Sequence, residues 1–441
     1  MIKNVLLISA DFPIAYYQFA EAFKKNGCCV LVIGNTPYGE LHPKLKESVT
    51  EYMQCSQMEN IGAMIETVAY LEKKYGHIDF LESNNEYWLR NDSILRQWFS
   101  ITSGIYPEQL DEYQKKSSMK KAFIEAGAKH APFMIATSYE EVAEFAKKYN
   151  YPLFAKPDIG VGAASNYKIE NDDNLRGFFR DKPNINYIVE PFVAGRIVTF
   201  DGIADSDSST VITINEIFPK EIFNLHKTKE EMFYYTNIEV PEELLKVGKK
   251  IIKALKLKNR FFHTEFFLAE NEIPDAFKKG DYVAIEVNVR TPGGFTPDLL
   301  NIGISSNVYQ MFADVVCFGK TDLKIEKSYY AACASRRDIH KYFFSDEDIK
   351  RTFSKEMCNF GRYPAVLSDL MGDQYYMARF EKLEDVHLFE EYVRRKIESM
   401  HHDSEKISHV VGEDRRMLRE NKQDMQGSSD LTICDKHIDG A

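Results

Sequence analysis

Two apolar, β-branched runs, residues 4–9 (NVLLIS) and 28–33 (CCVLVI), flank a stretch from Ile14 to Asn26 whose apolar positions recur at helical spacing. The runs read as strands, the stretch between them as a helix, and Gly27 as its C-terminal stop. A second helical pattern, about 60–75, leads into a strand-like segment at 77–83 (HIDFLES). This β-α-β-α-β succession predicts a parallel sheet. No G-x-G-x-x-G follows the first strand, so this Rossmann-like unit is assigned no dinucleotide.

Residues 105–115 read as a polar connection. A helix follows over about 116–126, ended by Gly127. Strand, helix and strand then alternate through APFMIA, SYEEVAEFAKKY and PLFAKP, with Ser138 and Glu141 spaced as a capping box. Strand-rich sequence fills 187–217. A helix (242–256), strands at 260–269 and 281–289, and helices over 295–318 come next. A small α+β segment spans 326–400. From His401 the chain is polar and sparsely apolar, and disorder is expected there.

Hydrophobic residues make up 44% of the 441 and charged residues 28%. That balance excludes global disorder. The net charge of −11 argues against non-specific binding to nucleic acid or anionic membranes. No apolar run approaches the roughly 18 residues that span a bilayer, and the opening MIKNVLLISADF reads as a strand, not a signal peptide. Seven scattered cysteines without C-x-x-C make a disulfide framework or a structural zinc unexpected. A cytoplasmic protein, with neither nucleic acid nor membrane as partner, is expected.

Four segments carry candidate chemistry. At 154–165 (FAKPDIGVGAAS) a strand delivers Lys156 into a loop with Gly160 and Gly162. Glycines let backbone N–H groups approach phosphate, and a lysine adds charge; an ordinary glycine-containing hairpin is the competing reading. In AIEVNVR, 284–290, period-two alternation puts Glu286, Asn288 and Arg290 on one face. That set suits Mg²⁺ and phosphate, or is the solvated face of an amphipathic strand. Glu265 lies in the apolar run FFHTEFFLA; a buried carboxylate needs a cation or hydrogen bonds. A hairpin with 284–290 brings it towards Glu286, where two carboxylates repel unless a metal sits between them; an ion pair with Arg290 or a lysine is the alternative. His263 reads first as a satisfied core residue. Finally, YIVEPFVAG at 187–195 turns between strands and exposes backbone groups able to meet a base edge.

In order and spacing these segments resemble the ATP-grasp superfamily over about residues 1–400. The helix KSSMKKAFIEAG (116–127) is similar to the family's D-K-x-x-x-K-x-x-L-x-x-x-G helix. The similarity points to Lys116 as a phosphate lysine, although Lys115 stands where the family has Asp, which leaves the two lysines as alternatives. Lys156 with the 158–165 loop resembles the second lysine and its glycine lid. Glu190, Phe192 and Val193 resemble the adenine hinge. Ile197 stands where many members carry a ribose-binding Glu. The segments H-T-E (263–265) and E-V-N-V-R (286–290) resemble the Mg²⁺ residues Glu265, Glu286 and Asn288 and the catalytic Arg290. H-T-E followed by I-E-x-x-x-R and then C-F-G-K (317–320) looks most like the L-amino-acid ligase branch, which includes bacilysin synthetase.

The resemblance implies an α/β and α+β chain with the ATP-grasp fold. Its parts would be a Rossmann-like pre-ATP-grasp domain (1–112), two ATP-clamping lobes (113–190 with the lid, 191–325 with the Mg²⁺ site), a C-terminal α+β segment (326–400) and a tail (401–441). It implies an ADP-forming carboxylate–amine ligase using ATP and Mg²⁺, which Mn²⁺ can replace. An acyl phosphate would form and an amine displace phosphate. The partners are a small-molecule carboxylate and an amine; a homodimer is left open. Rival readings are a biotin-carboxylase-like carboxylase and a non-catalytic ATP-binding regulator. Lys156 and Glu286 are expected to face a solvent-filled cleft. Glu86 meets an amine or, as the preferred reading, caps a helix near Tyr87. Surface loop position is the preferred reading for His226. Arg336 and Arg337 are weaker candidates for a substrate carboxylate.

Overall fold

A computed structural model describes residues 3–160, 165–218, 229–325 and 327–397. Gly162, His226 and the tail from His401 lie outside the described residues.

The N-terminal strands Asn4–Ile8, Cys29–Gly34, Glu51–Gln54 and Phe80–Glu82 form a parallel sheet with Asn4–Ile8 and Cys29–Gly34 at its centre. Alternation decides which side each residue serves. Leu6, Ile8, Leu31 and Ile33 pack on Met64, Val68 and Leu71 of the helix Ile61–Tyr75. Val5, Leu7, Val30 and Val32 pack with Phe19, Phe23 and Phe312. Both faces are covered, which is why the central strands read as unbroken apolar runs. The edge strand Glu51–Gln54 is mostly half-buried and too polar to announce itself. Residues 105–115 differ from the expected connection: after a short 3₁₀ turn the helix Leu110–Gln114 buries Leu110 and Tyr113.

A small antiparallel sheet follows, in the order Met134–Ile135, Tyr187–Pro191, Leu153–Pro157, Tyr167–Ile169. Helices Tyr139–Tyr149 and Asp172–Asp181 contribute to the same core. Ser138 accepts from the Glu141 N–H, but Glu141 turns its carboxylate to the Thr137 hydroxyl, so only half of the expected box forms.

Among the described residues ten strands form a larger sheet. At its centre Gly195–Ala204 pairs antiparallel with Arg260–Ala269, which pairs antiparallel with Tyr282–Asn288. The strands Tyr330–Arg336, Gln374–Phe380 and Met357–Arg362 continue this sheet. Helices Thr296–Ile304 and Val308–Phe318 share one core with strands of the parallel and the larger sheets. No described helix is long and apolar enough to cross a membrane.

Candidate active site

The register of two strands places two carboxylates face to face. Glu265 lies directly opposite Glu286, and His263 opposite Asn288. Behind them Val287 is fully buried, its N–H against the Met119 sulfur. Asn288 Nδ2 donates to Glu286 Oε1 at 3.3 Å. His263 bridges two acids: Nδ1 is 2.5 Å from Asp201 Oδ1, and Nε2 is 3.3 Å from Glu265 Oε1. Burial alone would lower its pKa. The Asp201 and Glu265 carboxylates together outweigh burial and hold it up at about 10, so both ring nitrogens donate.

The helix Lys116–Ala126 brings lysines to this face. Lys116 Nζ lies 3.1 Å from Glu286 Oε2 and donates to Gly160 O at 2.9 Å. Lys115 points away and pairs with Asp111 at the surface. One turn on, Lys120 is fully buried and reaches Glu190 Oε1 at 2.5 Å. Lys156, from the strand Leu153–Pro157, approaches Glu190 Oε2 at 2.8 Å. Burial would raise the Glu190 pKa; the two ammonium groups reverse that and hold it at about 2. Burial would raise that of Glu286 as well, but Lys116 and Lys156 hold it below the ordinary value. Lys156 is thus buried within an ion triad, not directed into open solvent as its sequence position suggests. Lys120 escapes sequence reasoning although it is the second lysine of K-x-x-x-K, one helical turn from Lys116 and so on the same face.

Gly160 sits at φ +135, a backbone state that disfavours other residues. At the hinge, Phe192 N–H donates to Pro152 O at 3.0 Å and Phe192 O accepts from Asn271 at 3.1 Å. Asn271 also takes the Ala194 N–H. Val193 between them bonds nothing through its backbone among the described residues. Ile197 pairs with Phe218 and Phe267 in the strand that follows.

Arg290 donates Nη1 to its neighbour's carbonyl, Thr291 O, at 2.8 Å, and its Nε lies 3.4 Å from Glu86 Oε2. Glu86 therefore faces Arg290. The capping is done by Asn85, which accepts the Tyr87 N–H at 3.0 Å. Burial raises the Glu86 pKa, with Arg290 opposing. Arg336 and Arg337 are not free to hold a substrate carboxylate. Arg336 donates to Val393 O and Tyr392 O and pairs with Asp346. Arg337 donates to the carbonyls of Glu230, Ser368 and Asp369.

No three His, Cys, Asp or Glu side chains among the described residues are grouped to hold a metal by themselves. The set here is two carboxylates and an amide.

The architecture is matched by solved structures. The L-amino acid ligase from Bacillus licheniformis aligns with a TM-score of 0.64, covering 89% of this chain and 96% of that one at 14% identity. The chain has the ATP-grasp fold. A second ATP-grasp structure is the biotin carboxylase domain dimer of the Hydrogenobacter thermophilus 2-oxoglutarate carboxylase, in complex with MgADP, ADP and bicarbonate. It aligns at a TM-score of 0.63 and 14% identity, over 88% of each chain. In sequence, the L-arginine-specific L-amino acid ligase of Bacillus subtilis is 19% identical over 300 residues, 66% of this chain and 70% of that protein. No protein-family model matches the chain.

Proposed function

We propose that this ATP-grasp chain is an ATP-dependent carboxylate–amine ligase. In this reading it forms an amide or peptide bond through an acyl phosphate and releases ADP and phosphate. The observation that carries the reading is the opposition of Glu265 and Glu286 beside Lys116, with Asn288 and Arg290 following on the same strand and its exit. Two adjacent carboxylates repel each other, and a cation between them removes the cost. Two carboxylates and an amide leave coordination for substrate phosphates, as Mg²⁺ prefers; Mn²⁺ accepts the same oxygen donors. Bound there, the ion would neutralise charge on the phosphate oxygens.

The chain's own groups divide the remaining tasks. Lys116 and Lys156 hold phosphate oxygens as point charges. Val193 offers hinge backbone groups to a base edge, beside Phe192 and Glu190. Arg290 donates to charge developing on the transferred phosphoryl group and on the oxyanion of amide formation. The loop from Gly160 excludes water that would hydrolyse the acyl phosphate. We assign the pre-ATP-grasp unit to 1–112, the clamping lobes to 113–190 and 191–325, and the closing segment to 326–400. A protein that consumes ATP and carries no cysteine motif fits the cytoplasm.

The test is ADP release with a panel of amino acids, with and without bicarbonate. ADP that needs a carboxylate and an amine supports the ligase. ADP that needs only bicarbonate supports the carboxylase, and none with any panel member overturns both.

A further inference from the structure

Arg290 is flanked by two anchors that tie its segment to the N-terminal unit, one through Arg260 of the larger sheet and one directly. On one side, Arg260 Nη1 donates to the carbonyl of Val289 at 2.9 Å, and its Nη2 meets Glu82 Oε2. On the other, the Tyr16 hydroxyl lies 2.6 Å from Thr291 Oγ1 and donates to Asn84 O at 3.0 Å. The Thr291 carbonyl is the acceptor for Arg290 Nη1. Both anchors converge on the segment after the strand Phe80–Glu82. There Glu82 Oε1 accepts the N–H groups of Ser83 and Asn84 at 3.1 and 3.0 Å, and Glu86 faces Arg290.

This network lies in the interior. Glu82 and Arg260 are 2% exposed, Arg96 and Asp92 0%. Arg96 Nη2 reaches Glu82 Oε2 at 3.1 Å and Asp92 Oδ2 at 3.9 Å, and Ser83 donates to Asp92 at 2.6 Å. Two arginines and two acids share one buried region. Such a group holds few alternative arrangements, because moving one member strands another buried charge.

The geometry points to Arg260, Glu82 and Tyr16 as positioning residues that fix the peptide groups on either side of Arg290 and so aim its guanidinium. A donor to a transition state works only where the developing charge will lie, and misplacement by about 1 Å costs about 10²-fold in rate. None of the three side chains touches the Glu265–Glu286 pair or the hinge, so their loss should tell on turnover more than on nucleotide affinity.

The kinetic arm rests on the ligase reading; the spectroscopic arm does not. Arg260→Lys keeps the charge and loses the fork; Tyr16→Phe keeps the ring and loses only the hydroxyl, so it serves where Arg260→Lys fails to fold. The Nε–H resonance of Arg290, assigned by its loss in Arg290→Lys, reports where the guanidinium sits. The expected result is a displaced or broadened Arg290 signal in each folded variant. ADP affinity should stay within about twofold of the parent, and kcat for acyl hydroxamate formation at saturating ATP should fall about 10²-fold in Arg260→Lys. An unchanged Arg290 signal in both variants overturns the positioning role whatever the reaction is. So does a kcat loss matched by an equal loss of ADP affinity. A displaced signal in a protein whose parent makes no hydroxamate sustains the positioning role and removes the ligase reading instead.

Discussion

The Lys116 ammonium stands 3.1 Å from the Glu286 carboxylate and binds the Gly160 carbonyl, tying the first lysine of the helix Lys116–Ala126 to both the acid pair and the start of the glycine loop. Its neighbour Lys115 faces solvent and Asp111. Lys116→Gln should weaken ATP binding roughly 10- to 100-fold, the worth of one hydrogen bond to a charged group. Lys115→Gln should change it by no more than about twofold. Calorimetric titration of both variants decides the point, and equal losses would return the choice between the two lysines to open.

The ion triad at Glu190 has a pH signature. Its carboxyl lies at about 2 in the folded chain, against an ordinary 4.5. Because the folded-state group is the more acidic, protons favour the unfolded chain. Its stabilisation is complete above about 4.5 and disappears as pH falls towards 2. At neutral pH Glu190→Gln should cost about 3–5 kcal/mol, since Lys120 and Lys156 stay buried without their shared partner. Urea unfolding of variant and parent across that acid window should show the gap closing. A gap independent of pH would assign the loss to packing.

Much of the site is legible in the sequence because strand alternation is local. Glu286 and Asn288 share a face by period two, and two strongly apolar strands invite the pairing that sets Glu265 against Glu286. Gly127 ends its helix at φ +66, as its position suggests. What is not legible depends on the third dimension. Lys115 has extended backbone angles as the N-cap residue, and that single step of phase turns Lys116 inward. Glu86 stands next to a helix start, where a carboxylate has a local use, and only the folded chain brings it to Arg290. The buried arginines 336 and 337 look like anion binders until the carbonyls they serve are in view. Glu82 ends one apolar strand and Arg260 begins another, and nothing local joins one to the other.

Glu286→Gln should raise the Mg²⁺ concentration needed for half-maximal nucleotide affinity by at least about 10-fold, since removing an outer partner of a metal ligand already costs that much. Its folding stability should change little, because the site face is part-exposed and Lys116 retains the Gly160 carbonyl. Nucleotide titrations at graded Mg²⁺ provide the reading. An unshifted Mg²⁺ requirement would take Glu286 out of the metal set and leave it as the counter-ion of Lys116 alone.

The most direct test of carboxylate activation at the γ-phosphate is the identity of the nucleotide product when hydroxylamine replaces the amine. In the proposed site Lys116 and the acid pair serve the terminal phosphates, so attack should fall on the γ-phosphorus. Phosphorus NMR of the reaction should show ADP and phosphate in step with acyl hydroxamate, and Arg290→Ala should slow both by about 10²–10³. AMP and pyrophosphate as products would contradict the account, whatever substrates are used.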